Sequence, residues 1–387
     1  MKLRSLAVAG VGLVLALSMS ACSNSNSGST TSSGSANASA GAIDWAKDVG
    51  VVLSDPSQPR WTMAEAQFKA AMPGVQIMFS NNDTSVEKTN VESLIASGVK
   101  VIIYNSIDGT AAAAATDEAA KAGIKVIAYD RLIMNTKNVS DYVTFDSVQV
   151  GAAQGKYLAD QAKASGQKGL NLYLFAGDVG DNNAYLFFQG AWSQLQPLIA
   201  DGTFNVVNSP QAEQLKDTAT LTKDQETSIM NPITTLWKPD TAKTLAEGAL
   251  ASATAAQKGT VYVLAPNDQT SEAITDTFRA DSGIGTMYST GQDLALQSVQ
   301  YIMDGKQSMT VFKDDKYLVQ ECVSLVGSLI NNTPPDPSII TTTYNNGAAD
   351  IPASAAEITV VTKDNVQQVA TDSGMYTITN GVVSQKS

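Results

Sequence analysis

The sequence predicts an α/β protein of two domains, each built on a parallel sheet. Three observations carry this. Apolar strand patterns alternate with helical ones from Ile43 onward, the alternation restarts near Gln149, and hydrogen-bonding side chains gather at the turns after the strands. A chain of 387 residues is too long for one ordinary core and comfortable for two.

In order, 51–53 reads as a strand, followed by the loop 54–61, a helix over 63–71 and a strand over 75–79. A helix around 86–96 stops at Gly98, and 99–104 is the third strand, closed by Ser106-Ile107-Asp108-Gly109-Thr110. The Ala-rich stretch 111–122 is helical. A short buried strand, 126–129, then ends in Asp130 and Arg131. Four βα repeats in succession imply a parallel sheet covered on both faces. The second domain spans about 147–313. It holds helices over 149–164, 184–200, 240–255 and 271–279, and strands over 169–175, 204–207 and 261–264. One amphipathic helix near 316–330 and an irregular tail remain, the tail being too small for a third domain and packing back on the first two. Cys322 falls in the apolar pattern of that helix and reads as a small core residue.

The first 21 residues read as a signal peptide, with Lys2 and Arg4, an apolar run over 6–17 and small residues before Cys22. The run is too short to span a bilayer. Small residues before a Cys resemble a bacterial lipoprotein cleavage box, which makes Cys22 the lipidated first residue of the mature chain, although Met19 replaces the usual Leu. The Ser/Asn/Gly/Thr/Ala tract that follows, 22–43 with Cys22 included, is a flexible tether. With Cys22 acylated, Cys322 is alone and no intramolecular disulfide forms. Anchor and tether hold the remainder at an extracytoplasmic membrane face, periplasmic or Gram-positive.

Composition removes several function classes. With 25 basic against 37 acidic residues and a net charge of −12, neither nucleic acid nor an anionic membrane surface suits as a partner. The absence of histidine excludes His triads, His general bases and most zinc sites. Gly151 and Gly155 lie within a helix and lack the spacing of a phosphate loop. Asp130, Asp181 and Asp293 are candidates for a glycosidase carboxylate pair. Each, however, has an adjacent Arg, Asn or Gln that favours an ionised, hydrogen-bonding role over a raised general acid.

Five turns carry the informative residues: Arg60-Trp61, Asp130-Arg131, Asp181-Asn182-Asn183, Asn267-Asp268 and Gln292-Asp293. In open α/β sheets small ligands bind beyond the carboxyl ends of the strands. Paired donors and acceptors there, with Trp61 and Trp237 as stacking surfaces, suit a sugar, whose hydroxyls need both and whose C–H faces lie on aromatic rings.

The chain from about 44 to 387 resembles the bacterial xylose-binding and multiple-monosaccharide-binding receptors of sugar ABC importers. The resemblance rests on Arg60-Trp61, Ser106-Ile107-Asp108-Gly109-Thr110, Ala128-Tyr129-Asp130-Arg131-Leu132-Ile133, Asp181-Asn182-Asn183-Ala184, Leu236-Trp237, Asn267-Asp268, Gly291-Gln292-Asp293, Val311-Phe312-Lys313 and Tyr344-Asn345-Asn346-Gly347, in family order. It implies two Rossmann-like lobes with parallel sheets joined by a three-segment hinge, the type I periplasmic-binding-protein fold. The N-terminal lobe is then 44–146 plus about 314–345, and the C-terminal lobe 147–313 plus about 346–387. By position, Arg60, Asp130 and Arg131 contact the sugar from the first lobe. Asp181, Asn183, Asn267 and Asp293 do so from the second, Lys313 near the hinge, and Trp61 and Trp237 stack on the ring. The segment 217–235 is longer and less regular than the family pattern, and Pro266 stiffens the turn before Asn267. The implied activity is capture of a monosaccharide of the xylose, glucose, galactose, arabinose or fructose type by a monomer that delivers it to a permease. No bond is made, so no cofactor or metal is required. A sensor lipoprotein using the same cleft for a sugar or furanosyl signal is the alternative.

Overall fold

The computed structural model describes residues 42–386. The expected signal peptide, the lipidated Cys22 and the tether up to residue 41 lie outside the described residues. Among the described residues, no helix is long and apolar enough to cross a membrane.

The first lobe begins with β1 (Val49–Leu53), β2 (Gln76–Phe79), β3 (Val101–Tyr104), β4 (Lys125–Tyr129) and β5 (Asp141–Phe145). They pair in parallel in the order β2-β1-β3-β4-β5. Every residue of β1, β3 and β5 is buried, as expected of strands covered by helices on both faces. β5 escapes a reading of apolar pattern because Asp141 and Thr144 interrupt it. The second lobe contains β6 (Leu170–Leu174), β7 (Phe204–Val206), β8 (Gly259–Leu264) and β9 (Ile284–Ser289), parallel in the order β7-β6-β8-β9.

The chain crosses between the lobes three times. After β5, Asp146 caps the helix Ser147–Ser165 by accepting from the Gln149 amide at 3.0 Å. After β10 (Met309–Phe312), the helix Asp315–Asn331 returns to the first lobe, where Leu318, Val319, Cys322, Leu325 and Val326 join the core under β1, β3 and β4. Cys322 is fully buried there. β11 (Thr342–Asn345) then pairs with β12 (Asp350–Ala356), and β12 lies parallel to β5. The third crossing leads to β13 (Thr359–Thr362), antiparallel to β10.

The lobe boundary expected after residue 345 is therefore displaced. Residues 350–356 belong to the first sheet, and the third crossing falls at 357–358. Pro352 and the alanines of β12 carry little β propensity, so only pairing with β5 makes this segment a strand. Residues 217–235, which looked irregular, are built around the helix Lys223–Met230, opened by a capping box between Thr222 and Gln225.

Candidate functional site

Pro59 occupies the first helical position of Pro59–Ala71, where its missing amide proton is not needed. The helix thus starts four residues before the expected 63, and Arg60 and Trp61 lie on its first turn. The buried Arg60 guanidinium donates to Asp130 Oδ2 at 2.7 Å, Asp315 Oδ1 at 2.6 Å and Asp293 Oδ1 at 3.0 Å. Asp130 follows β4, Asp315 opens the helix after the second crossing, and Asp293 comes from the second lobe. One planar fork thus ties three chain segments together, a task its fixed donor geometry suits. Lys313 Nζ also reaches Asp293 Oδ1, at 3.0 Å.

The charges perturb one another. Burial disfavours the Arg60 cation, but Asp130, Asp315 and Asp293 outweigh it and raise its pKa above the ordinary value. Burial pushes the Asp315 carboxyl up to about 6 against the pull of Arg60. Burial acts on Asp293 in the same sense, yet Lys313 and Arg60 together hold that carboxyl below its usual range.

A second ion pair joins the lobes, Arg131 Nε to Asp181 Oδ2 at 3.0 Å, while Arg131 also donates to the Ser106 carbonyl at 3.2 Å. Burial pushes Asp181 up to about 6, opposed by Arg131. The Asn183 amide donates to the Asp130 carbonyl at 2.8 Å and accepts from Tyr142 and Ser147 hydroxyls at 3.2 and 3.1 Å. Asn183 therefore links second-lobe helix to first-lobe strand end as well as facing the cavity. Asn267 caps the helix Asp268–Ala280, its Oδ1 accepting from Thr270 Oγ1 at 2.6 Å, which leaves its NH₂ able to donate.

The indole of Trp61 is buried, with the guanidinium carbons of Arg60 and Arg131 4.5 and 5.4 Å from its ring centre. Trp237 meets Phe187 edge-on at 6.2 Å. All ten residues expected from the sequence line one cavity of about 280 Å³, together with Gln58, Phe187 and Gln292. Arg60 Nε, Trp61 Nε1, Trp237 Nε1 and Gln292 Oε1 are buried there without a protein partner. Buried polar groups rarely stay unpaired, so these three donors and one acceptor are groups a polar ligand can satisfy. The backbone is strained at the same place: Asp130, Trp237 and Asp293 have φ of 62°, 57° and 102°. Sequence reasoning missed Asp315, because Asp314-Asp315 before a helix reads as a simple N-terminal acid pair. It also missed Phe187, one apolar residue among many in the helix Asn182–Ala200.

Several carboxyls respond to pH together. Burial lifts Glu87 to about 7, although the Tyr104 hydroxyl and the Ile107 amide donate to it at 2.6 and 2.7 Å. Burial also lifts Glu272 to about 7 and Asp141 to about 6. A carboxyl raised on folding contributes stability that is complete below its unfolded value of about 4 and is lost as pH rises through the folded value. With no histidine in the chain to titrate in that window, the unfolding temperature should fall from pH 5 to pH 7.5, and Glu87→Gln should flatten the slope. Calorimetric scans at both values check this; a temperature that rises over the interval refutes it.

Two parallel-sheet lobes, linked by three crossings and facing each other over a polar, tryptophan-lined cavity, define a cleft-type small-ligand binding protein. The chain belongs to the periplasmic binding protein family, residues 49–334 matching the model of the periplasmic binding protein domain. The fold is the two-lobed type I arrangement that the resemblance implied. The chain is 33% identical over 339 residues to the multiple sugar-binding periplasmic receptor ChvE of Rhizobium radiobacter, covering 85% of this chain and 90% of that one. It is 28% identical over 332 residues to the D-xylose-binding periplasmic protein of Escherichia coli K12, with the same coverages, 85% and 90%. Among solved structures, a carbohydrate transporter solute binding protein from Chloroflexus aurantiacus in complex with D-glucose shares 50% identity and a TM-score of 0.82, over 85% of this chain and 96% of that one. An ABC transporter solute binding protein from Clostridium phytofermentans with bound β-D-glucose shares 30% identity and a TM-score of 0.74, over 86% and 98%.

Proposed function

We propose that this protein is an extracytoplasmic receptor that captures one monosaccharide between its lobes and delivers it to the permease of an ABC importer. The observation that carries the reading is the composition of the cavity wall. Arg60, Arg131 and Lys313 face Asp130, Asp181 and Asp293 in balance, with Asp315 behind Arg60, so the wall disfavours an anionic ligand such as a sugar phosphate. Unpaired buried donors and two indoles suit an uncharged ring with many hydroxyls. The cavity is small and walled by side chains of both lobes, in keeping with a single ring. The ten lining residues named from the sequence are the proposed contacts, with Gln58, Phe187 and Gln292 added.

In this reading sugar held by one lobe gains contacts with the other only on closure. That differential affinity shifts the population toward the closed form, which the permease reads. The receptor acts as a monomer, held by a lipid on Cys22, and transforms nothing. Calorimetric titration with D-xylose, D-glucose, D-galactose, L-arabinose and D-fructose tests it. One or a few should bind at one-to-one stoichiometry. At a hundred times the dissociation constant, such a sugar should stabilise the fold by about 2.7 kcal/mol, visible as a raised unfolding temperature. Neither heat nor thermal shift with any of the five would sink the monosaccharide assignment.

A further inference from the structure

Asp293 and Leu294 hold consecutive left-handed backbone angles, φ 102° and 55°. Residues with side chains keep such angles only where surrounding contacts over-determine them. The Asp293 amide donates to the Val311 carbonyl at 2.8 Å, and the Leu294 carbonyl accepts from the Tyr376 hydroxyl at 2.9 Å. The residues on either side of this pair are both held by Asp268, which is fully buried and does not line the cavity. Its amide donates to the Gln292 carbonyl at 3.0 Å, and its Oδ2 accepts from the Ala295 amide at 2.8 Å. Its Oδ1 accepts from Gln307 Nε2 at 3.0 Å, and Gln307 is itself held by the Met309 carbonyl and the Ser298 hydroxyl, at 3.0 and 2.9 Å. A Cβ on Gly291 would stand 2.1 Å from Asp268 Oδ1 and 2.6 Å from Gln307 Nε2, so the carboxyl lies directly against the loop backbone.

We propose that Asp268, braced by Gln307, is a positioning residue for Asp293: it fixes the loop 291–295 from behind and so sets where the Asp293 carboxylate meets the sugar. This rests on the reading above, in which Asp293 is a sugar contact. The residue type follows from the geometry. Two donors approach the side chain from two directions, the Ala295 amide and the Gln307 amide. A carboxylate accepts both; an Asn accepts one and turns its own NH₂ on the other. Burial and the neighbouring Asp293 and Glu272 push the Asp268 carboxyl up against the pull of the Ala295 amide. It is the N–H donor on each of its two oxygens that marks the site as one built for a carboxylate.

The test is titration with the same five sugars of the wild type, Asp293→Ala, Asp268→Asn, and the exchanged pair Asp268→Asn with Gln307→Glu. In the exchanged pair the Asn NH₂ meets a carboxylate and one bond is rebuilt with reversed polarity. The expected result is at least about a tenfold loss of affinity in Asp268→Asn, with part of it recovered in the exchanged pair, which rebuilds the bond between the two side chains but gives up the one to the Met309 carbonyl. A change in the preference between pentose and hexose should accompany the loss, which a general loss of stability would not cause. Should Asp268→Asn not fold, Gln307→Met, which removes the donor to Asp268 together with the acceptor of the Ser298 hydroxyl, should show a smaller loss of the same kind. Affinity within twofold of wild type in a folded Asp268→Asn or Gln307→Met, when Asp293→Ala abolishes binding, overturns the inference. Binding unaffected by Asp293→Ala overturns the site assignment on which it rests. A wild type that binds none of the five overturns the monosaccharide assignment, and the inference falls with it.

Discussion

Arg60→Ala should abolish sugar binding and destabilise the protein by about 3–5 kcal/mol, the range found when one partner of a buried ion pair is removed. The size follows from what remains behind. Asp130 and Asp315, both buried, lose the cation that bonds them at 2.7 and 2.6 Å, and Asp293 keeps only Lys313. Arg60→Lys should keep the charge but lose the fork, since an ammonium cannot present its donors to three carboxylates in one plane. It should bind more weakly while losing less stability. The deficit of Arg60→Ala should also shrink on going from pH 7.5 to pH 5. Asp315, already lifted to about 6 with Arg60 in place, is protonated more readily without it. Urea unfolding of both variants at the two pH values checks this. A deficit in Arg60→Ala that is below 1 kcal/mol, or that grows on acidification, would contradict it.

Gly177→Ala should weaken sugar binding about a hundredfold although residue 177 presents no side chain to the ligand. A Cβ there would lie 2.1 Å from Trp237 Cη2 and 2.2 Å from Cζ2, so the indole must leave its place. It has little room to do so. Thr234 Oγ1 donates to the Gly177 carbonyl at 2.7 Å, Ala176 bridges Thr234, and Trp237 already holds a left-handed φ of 57°. Overpacking of this kind costs about 1–3 kcal/mol of stability. The specific signature is non-additivity. Once Trp237→Ala has removed the ring, adding Gly177→Ala should change affinity no further, because residues in contact couple. Equal losses from Gly177→Ala in both backgrounds would show that the glycine acts otherwise than through Trp237.

Most of the cavity wall was legible because ligand-facing positions in a parallel α/β sheet fall at the carboxyl ends of strands. Asp130-Arg131 after β4 and Asn267 after β8 follow from that rule, whereas Gln292-Asp293 was recognised by its turn residues, the strand before it, β9, not being among those the apolar pattern showed. Trp237 needed more than turn chemistry, since it sits in a long excursion between β7 and β8 and no local pattern marks it. Lys313 reads equally as a surface lysine at a strand end; its burial and its 3.0 Å contact to Asp293 appear only once β10 runs beneath the cleft. Asp315 was hidden because its partner, Arg60, is 255 positions away in sequence.

By itself the sequence determined the class of fold, the two repeats of β and α and the residue types at the strand ends, because periodicity and turn chemistry are local properties. Tertiary structure decided three things: that residues 350–356 become a first-lobe strand, that one guanidinium bonds three carboxylates, and that Asp268 stands behind Asp293. Each depends on groups that lie apart in sequence and meet only in the folded chain. No local rule reports such contacts, because their energy exists only when distant segments exclude water from one another.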